Sequence, residues 1–292
     1  MLFLIRTFVL FALLGGSLLA GPQRLVLALK PDKNPEALLE EKRTLEEFLS
    51  RQLQRPVQVI IPLSASIIIE GFANGTIDLG YLSATDLARA RKLGSARLLL
   101  AGEFPNGLTS YRSYWLTLKG RPYQDIRELK GKPVAFASKT STSGFVVPLW
   151  DLRQRGLVSE RGNPEEFFGK GNVFYGVGYV SGVERVFAGE AEAAAVSDYV
   201  FDQDKHLSTE QRSRLKIVQS QGPVPSHVIA VRASLSAREA TAIQAALLAF
   251  NDDANTGLRD RLFTTKLVVT NEEAHLAALN DALQLAERAL TK

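Results

Sequence analysis

Short uninterrupted apolar runs alternate along this chain with segments whose apolar residues recur every three or four positions. Leu25 to Leu29 (LVLAL) has the length and continuity of a buried strand. From Glu36 to Leu53, residues Leu38, Leu39, Leu45, Phe48, Leu49 and Leu53 fall at helical spacing with charges between them, and Pro56 stops that helix. Val57 to Ile61 predicts a second strand, Ile67 to Phe72 a helix closed by Asn74-Gly75, Ile77 to Tyr81 a third strand, and Asp86 to Lys92 a third helix. Strict alternation of this kind predicts parallel βαβ units.

The pattern repeats around a second centre. Strands are predicted at Tyr114 to Leu118, Val134 to Ala137, Val173 to Tyr175 and Ala193 to Val196, with helices at Asp125 to Leu129, from Gly144 to Arg155, and from Ser181 to Phe187. Val228 to Val231 reads as a last strand, followed by helices from Ser236 to Phe250 and from Glu272 to Leu290. Two sets of α/β units imply two lobes. No low-complexity linker separates them, so the crossings are expected to be short strands near Tyr111 and Pro223. The expected organisation is residues 21–111 with 224–292 as a discontinuous first lobe and 112–223 as the second.

Ahead of these units, Leu2 to Ala20 is almost wholly apolar, with Arg6 near its start, paired glycines at 15 and 16, and a small residue at its end. This is the layout of a secretory signal, with cleavage expected after Ala20 and a retained anchor helix as the other reading. An exported, periplasmic protein is expected. The 292 residues carry 46% hydrophobic and 23% charged side chains, enough apolar content to exclude disorder. The net charge of +4 is spread over scattered groups such as Lys42-Arg43 and Arg212 to Lys216, which argues against a nucleic-acid footprint. The chain has no cysteine, and this removes disulfides, thiolate metal sites and thiol nucleophiles together.

Parallel α/β sheets place ligands where strands end and helices begin. Four such places carry hydroxyl residues: Ser64 and Ser66, Ser83 to Thr85, Ser141-Thr142-Ser143-Gly144, and Ser181-Gly182. A helix N-terminus offers free N–H groups and a positive dipole end, which suits an anion, although serine and threonine are also the commonest N-caps. Hydrogen bonds to a charged group contribute about 1.5–3 kcal/mol each, so four give roughly 6–12 kcal/mol, against about 8 for micromolar affinity. Neutral donors are therefore sufficient to hold an oxyanion. Other motifs are missing. Gly176-Val177-Gly178 lacks the third glycine of a dinucleotide fingerprint, and neither a phosphate loop nor a GxSxG nucleophile elbow occurs. No catalytic constellation or cofactor motif stands out. The three histidines, His206, His227 and His275, share no metal-ligand spacing.

Lys130-Gly131-Lys132, Val134-Ala135-Phe136, Ser141-Thr142-Ser143-Gly144 and Pro148 together resemble the phosphonate-binding proteins of bacterial ABC importers, whose relatives bind phosphite or other phosphorus oxyanions. The likeness extends to Glu70-Gly71, Gly75-Thr76-Ile77-Asp78, Tyr111-Arg112-Ser113, Val186 to Glu192 and Pro223 to Arg232. It implies a type II periplasmic-binding-protein fold, two α/β lobes with a ligand cleft between them, and a permease and ATPase as partners. It implies ligand contacts from Ser141, Thr142 and Ser143; Gly144, by its lack of a side chain, is itself expected to let the backbone come close to a ligand. Three departures bear on the ligand: Ala65 stands where members with an aminoalkyl phosphonate site have a tyrosine, Tyr179 where they have a histidine, and His227 where they have an acid. A small or plain oxyanion is expected, with Tyr179 and His227 as donors and affinity that depends on pH through His227. Tyr111 is a further candidate, and Arg112 is read either as an anion clamp or as a brace. A monomeric transport component that is not an enzyme is expected. The rivals are a periplasmic sensor reporting to a membrane receptor or kinase, and an enzyme built on the same fold.

Overall fold

The LVLAL run does become a central strand. In the computed structural model, which describes residues 24–29, 35–203, 206–262 and 266–291, β1 (Leu25–Ala28) lies between β2 (Val57–Ile60) and β3 (Leu79–Leu82) and runs parallel to both. The segment read as a secretory signal and the loop at Pro31 lie outside the described residues. Between β1 and β2, α1 (Pro35–Leu53) buries Leu45, Phe48 and Leu49 against this layer. Its polar side chains satisfy edge-strand amides: Ser50 Oγ accepts from Val57 N at 2.9 Å, and Glu46 Oε1 accepts from Val59 N at 2.7 Å. α2 (Ala65–Asn74) and α3 (Ala84–Lys92) follow β2 and β3.

The strict alternation then breaks. β4 (Ala96–Glu103) leads to β5 (Ser110–Leu118) with no helix between, and β5 opens a second sheet. That sheet continues with β6 (Val134–Phe136), α4 (Val147–Gln154), α5 (Glu165–Phe168), β7 (Val173–Tyr175), α6 (Tyr179–Phe187), β8 (Ala193–Ser197), α7 (Asp198–Asp202), α8 (Thr209–Ser213) and the long β9 (Leu215–Pro225). β10 (Val228–Arg232) returns to the first sheet and pairs antiparallel with β3 and β4. It is not the last strand. After α9 (Ala237–Leu248) and α10 (Thr256–Leu262), β11 (Lys266–Val268) pairs antiparallel with β4, and α11 (Glu272–Leu276) and α12 (Asn280–Leu290) end the chain. Among the described residues the orders are β11-β4-β10-β3-β1-β2 and β7-β6-β8-β5-β9. Both sheets are therefore mixed rather than parallel.

Two short segments, residues 104–109 and 226–227, connect the sheets side by side. Ser226 N donates to Thr109 O at 3.0 Å, Gly102 N to His227 O at 2.9 Å, and Ser226 Oγ to Gly102 O at 2.6 Å. Asp78, the last residue of the Gly75-Thr76-Ile77-Asp78 stretch, braces the first sheet. Its Oδ1 pairs with Arg232 Nε at 2.7 Å and its Oδ2 accepts from Val26 N at 2.8 Å, tying β1 to β10.

The last helix is placed differently from its neighbours in sequence. α12 buries Ala282, Leu285 and Ala286 in one cluster with Trp115, Phe145, Leu149 and Leu152 of the second sheet's layer. α11 stays with the first sheet through an Arg91–Glu272 ion pair at 2.6 Å. The chain accordingly makes a third pass between the layers at the turn Ala277–Leu279.

Candidate ligand cleft

Three helix starts meet at one cavity of ≈ 500 Å³. Leu63, Ser64 and Ala65 reach it from the start of α2, Gly178 to Ser181 from the start of α6, and Ser138, Thr140 and Ser141 from the loop after β6. His227 enters from the crossing segment, and His206 and Glu184 complete the ionisable lining. No lysine or arginine is among the described lining residues. Positive potential comes instead from helix dipoles and amide groups, aided by any imidazole that is protonated. A groove of ≈ 540 Å³ between α3 and α12 has no such convergence, and its Arg91 and Lys92 are paired with Glu272 and Glu287.

The hydroxyl-rich loop folds tightly. Ser141 caps the turn, its Oγ accepting from Gly144 N at 3.0 Å, and Val146 N reaches back to Ser141 O at 3.0 Å, making residues 142–146 a π-helical turn ahead of α4. Gly144 serves packing rather than ligand approach, since a Cβ there would lie 2.3 Å from Ala137 Cβ. Thr142 also turns away from the cavity. Its Oγ1 accepts from Thr85 N at 3.2 Å and donates to Thr85 Oγ1 at 2.9 Å, clasping the start of α3 in the first layer.

Ser143 is fully buried behind the wall. Its Oγ accepts from Tyr111 Oη at 3.2 Å and lies 2.7 Å from Tyr179 Oη. Its carbonyl accepts from Ser113 Oγ at 2.6 Å, and that hydroxyl in turn accepts from Gln221 Nε2 at 2.7 Å. Tyr111 is buried too, and burial pushes its phenol well above the usual value.

The remaining candidates separate clearly. Ser64 makes no capping hydrogen bond and faces the cavity, whereas Ser66 is exposed away from it. Ser83 is buried as the cap of α3, accepting from Asp86 N at 3.2 Å and donating to Asp86 Oδ2 at 2.6 Å. Arg112 braces β5 on β9 through Ser220 Oγ at 3.1 Å, and its amide donates to Asp198. His227 sits among Tyr81, Tyr111 and Tyr199, with ring centroids 5.4–6.4 Å away. Of the expected contacts, Ser64, Ser141, Tyr179 and His227 line the cavity, while Thr142, Ser143, Gly144, Tyr111, Ser66 and Ser83 are not among its lining residues. Sequence reasoning passed over Glu184 and His206 as lining residues. Glu184 stands one helical turn beyond Val180, a spacing that marks a shared face, but His206 follows a short helix with no comparable signal. Among the described residues, no group of three His, Asp or Glu side chains is placed to hold a metal.

Two mixed α/β layers, joined by paired crossing segments around a cleft, define a type II periplasmic binding protein. The chain belongs to the phosphonate-binding family of these proteins: the family described as "ABC transporter, phosphonate, periplasmic substrate-binding protein" matches residues 27–275. It is 24% identical over 184 residues to the phosphate-import protein PhnD of Mycolicibacterium smegmatis, covering 62% of this chain and 57% of that protein's length. It is 23% identical over 221 residues to a probable ABC transporter phosphite-binding protein, PhnD1, of Prochlorococcus marinus, covering 74% of this chain and 72% of that one. The structure of PhnD1 in complex with methylphosphonate superposes with a TM-score of 0.77 at 17% identity, over 91% of this chain and 98% of the other. Among the described residues, no helix is long and apolar enough to cross a membrane.

Proposed function

We propose that this protein captures a phosphorus oxyanion in the periplasm and delivers it, without turnover, to the permease and ATPase of an ABC importer. The convergence of three helix starts on a cavity with no described lysine or arginine carries this reading. N–H groups in the first turn of a helix have no intrahelical acceptor, and an anion there meets both the amides and the dipole. Ser64 and Ser141 add hydroxyls at two of those starts. The relatives' names, a phosphate importer and a phosphite binder, point to the same chemistry. The lobes are the two sheets with their helices, α12 riding on the second, and ligand binding favours the closed arrangement in which both walls touch the anion.

A plain oxyanion was expected from the loss of an acid at His227, yet Glu184 supplies a carboxylate elsewhere on the lining. Calorimetry against phosphate, phosphite, methylphosphonate, aminoethylphosphonate and sulfate tests both points. Micromolar binding of one phosphorus oxyanion is expected, weakened roughly tenfold or more by Ser64→Ala and by Ser141→Ala. Folded, ligand-free protein that binds none of the five would overturn the reading.

A further inference from the structure

Glu184 is the odd group in a cavity suited to anions. The other polar groups on the lining are backbone amides, hydroxyls and imidazoles, and Glu184 is the one carboxylate among the described lining residues. Its side chain takes part in no hydrogen bond or ion pair among the described residues. The cations that adjoin the lining in sequence are engaged elsewhere: Arg185 pairs with Glu190 and lies over the Phe174 ring, and Lys139 lies over the Tyr175 ring.

Its position sets it beside the anion. Glu184 follows Val180 and Ser181 by four and three residues, and all three line the cavity, so they share one face of α6. Side chains on a helix tilt toward its N-terminus, which directs this carboxylate back to the turn whose free N–H groups attract an anion. A carboxylate repels a fully deprotonated oxyanion and sets lone pairs against lone pairs. An oxyanion that keeps one proton meets the same group as a donor, through a charge-assisted O–H···O bond. Phosphorus and sulfur oxyanions differ on this point. The second ionisation of a phosphate monoester falls at about pH 6, so phosphates and phosphonates keep a P–OH in part of the population near neutrality. Sulfate and sulfonates keep none.

We propose that Glu184 is the specificity-determining acceptor of the cavity, taking a hydrogen bond from the P–OH of a singly protonated phosphorus oxyanion and excluding sulfate and sulfonates of the same shape. This rests on the oxyanion reading and adds the protonation state of the ligand to it. Donors at the three helix starts hold the bare oxygens, and the carboxylate holds the protonated one. Selection then works twice, by a bond the right ligand makes and by a repulsion the wrong one meets.

Methylphosphonate and methanesulfonate isolate the proton, because the methylphosphonate monoanion and methanesulfonate carry the same charge and differ by one O–H. Calorimetry at about pH 6 is expected to show methylphosphonate bound at least about 30-fold more tightly, and Glu184→Gln, whose amide can donate to a bare oxygen, is expected to cut that ratio roughly tenfold or more. Glu184 is exposed, so an unchanged thermal melt is expected to accompany the change. His206, His227 and Tyr179 are the other titratable groups on the described lining, and imidazole protonation also moves affinity with pH. Methanesulfonate has no proton to lose in this range, so its pH profile reports the protein's own groups. The methylphosphonate profile should fall more steeply above about pH 7, and Glu184→Gln should bring the two profiles together. The phosphorus-31 shift of bound methylphosphonate reads the proton directly. It should hold the monoanion value to a higher pH than in free solution, and Glu184→Gln should remove that offset. A bound ligand that titrates as it does in free solution, or a ratio unmoved by Glu184→Gln, overturns the proposal and leaves the oxyanion reading standing. Folded, ligand-free protein that binds neither methylphosphonate nor inorganic phosphate sinks that reading, and this proposal with it.

Discussion

His275 stands behind the crossing segments, its Nε2 3.1 Å from Ser226 O and its ring almost fully covered. Burial lowers its pKa, and the hydrogen bond to the Ser226 carbonyl opposes the shift only in part. A histidine depressed on folding binds its proton more tightly in the unfolded chain. Its contribution is therefore fully present above about pH 6.5 and is lost as pH falls toward the depressed value. Urea midpoints should decline between about pH 7 and 5, and His275→Gln should flatten that decline; an unchanged slope would assign it to other groups. At this scale the sequence was informative about chemistry and poor about partners. Hydroxyls after a strand marked Ser141, but Thr142 is committed to Thr85, a residue 57 positions earlier that no local pattern pairs with it. Tyr179 stands out in the sequence only through the family likeness, while its contact with Ser143, and that of Ser143 with Tyr111, come from packing that no local pattern announces.

Among the elements, the π-helical turn at residues 142–146 is the least ordinary, and its cap Ser141 lines the cleft. It forms because Ser141 caps it and because the chain passes close over β6, where Ala137 N donates to Gly144 O at 3.1 Å. A methyl group at Gly144 would lie 2.3 Å from Ala137 Cβ and 2.8 Å from Ser141 Oγ. Gly144→Ala should cost about 1–3 kcal/mol of stability and weaken ligand binding by displacing the Ser141 hydroxyl, as thermal melts and calorimetry on the same sample would show. A variant that melts lower yet binds as before would separate the turn from the site. Apolar periodicity found most helices and the short buried strands. It missed β4, although Leu98 to Ala101 is an apolar run, and it missed most of β9 for a physical reason: register shifts between Tyr111 and Ser113 and between Trp115 and Leu116 break the two-residue alternation along the β5–β9 pair.

At the scale of the whole molecule, the two layers touch through Thr85 and Thr142 beside the cleft, and through the exposed Lys92–Glu287 pair at 2.9 Å between α3 and α12. The exposed pair contributes little. The buried threonine clasp is the stronger tie, so Thr142→Val should raise the radius of gyration of ligand-free protein while leaving the ligand-saturated value unchanged. Small-angle scattering measures both, and equal values for variant and parent would place the restraint elsewhere. Two lobes were legible because the α/β pattern occurs twice. The seat of α12 was not, since an amphipathic helix announces an apolar face without saying which layer it covers. That seat has a mechanical meaning. Two adjacent strands alone form a ribbon, free to twist as well as bend. The third pass at Ala277–Leu279 is anchored at one end by His275 and at the other by α12, and it turns the ribbon into something nearer a door hinge, with one angle left to open and close.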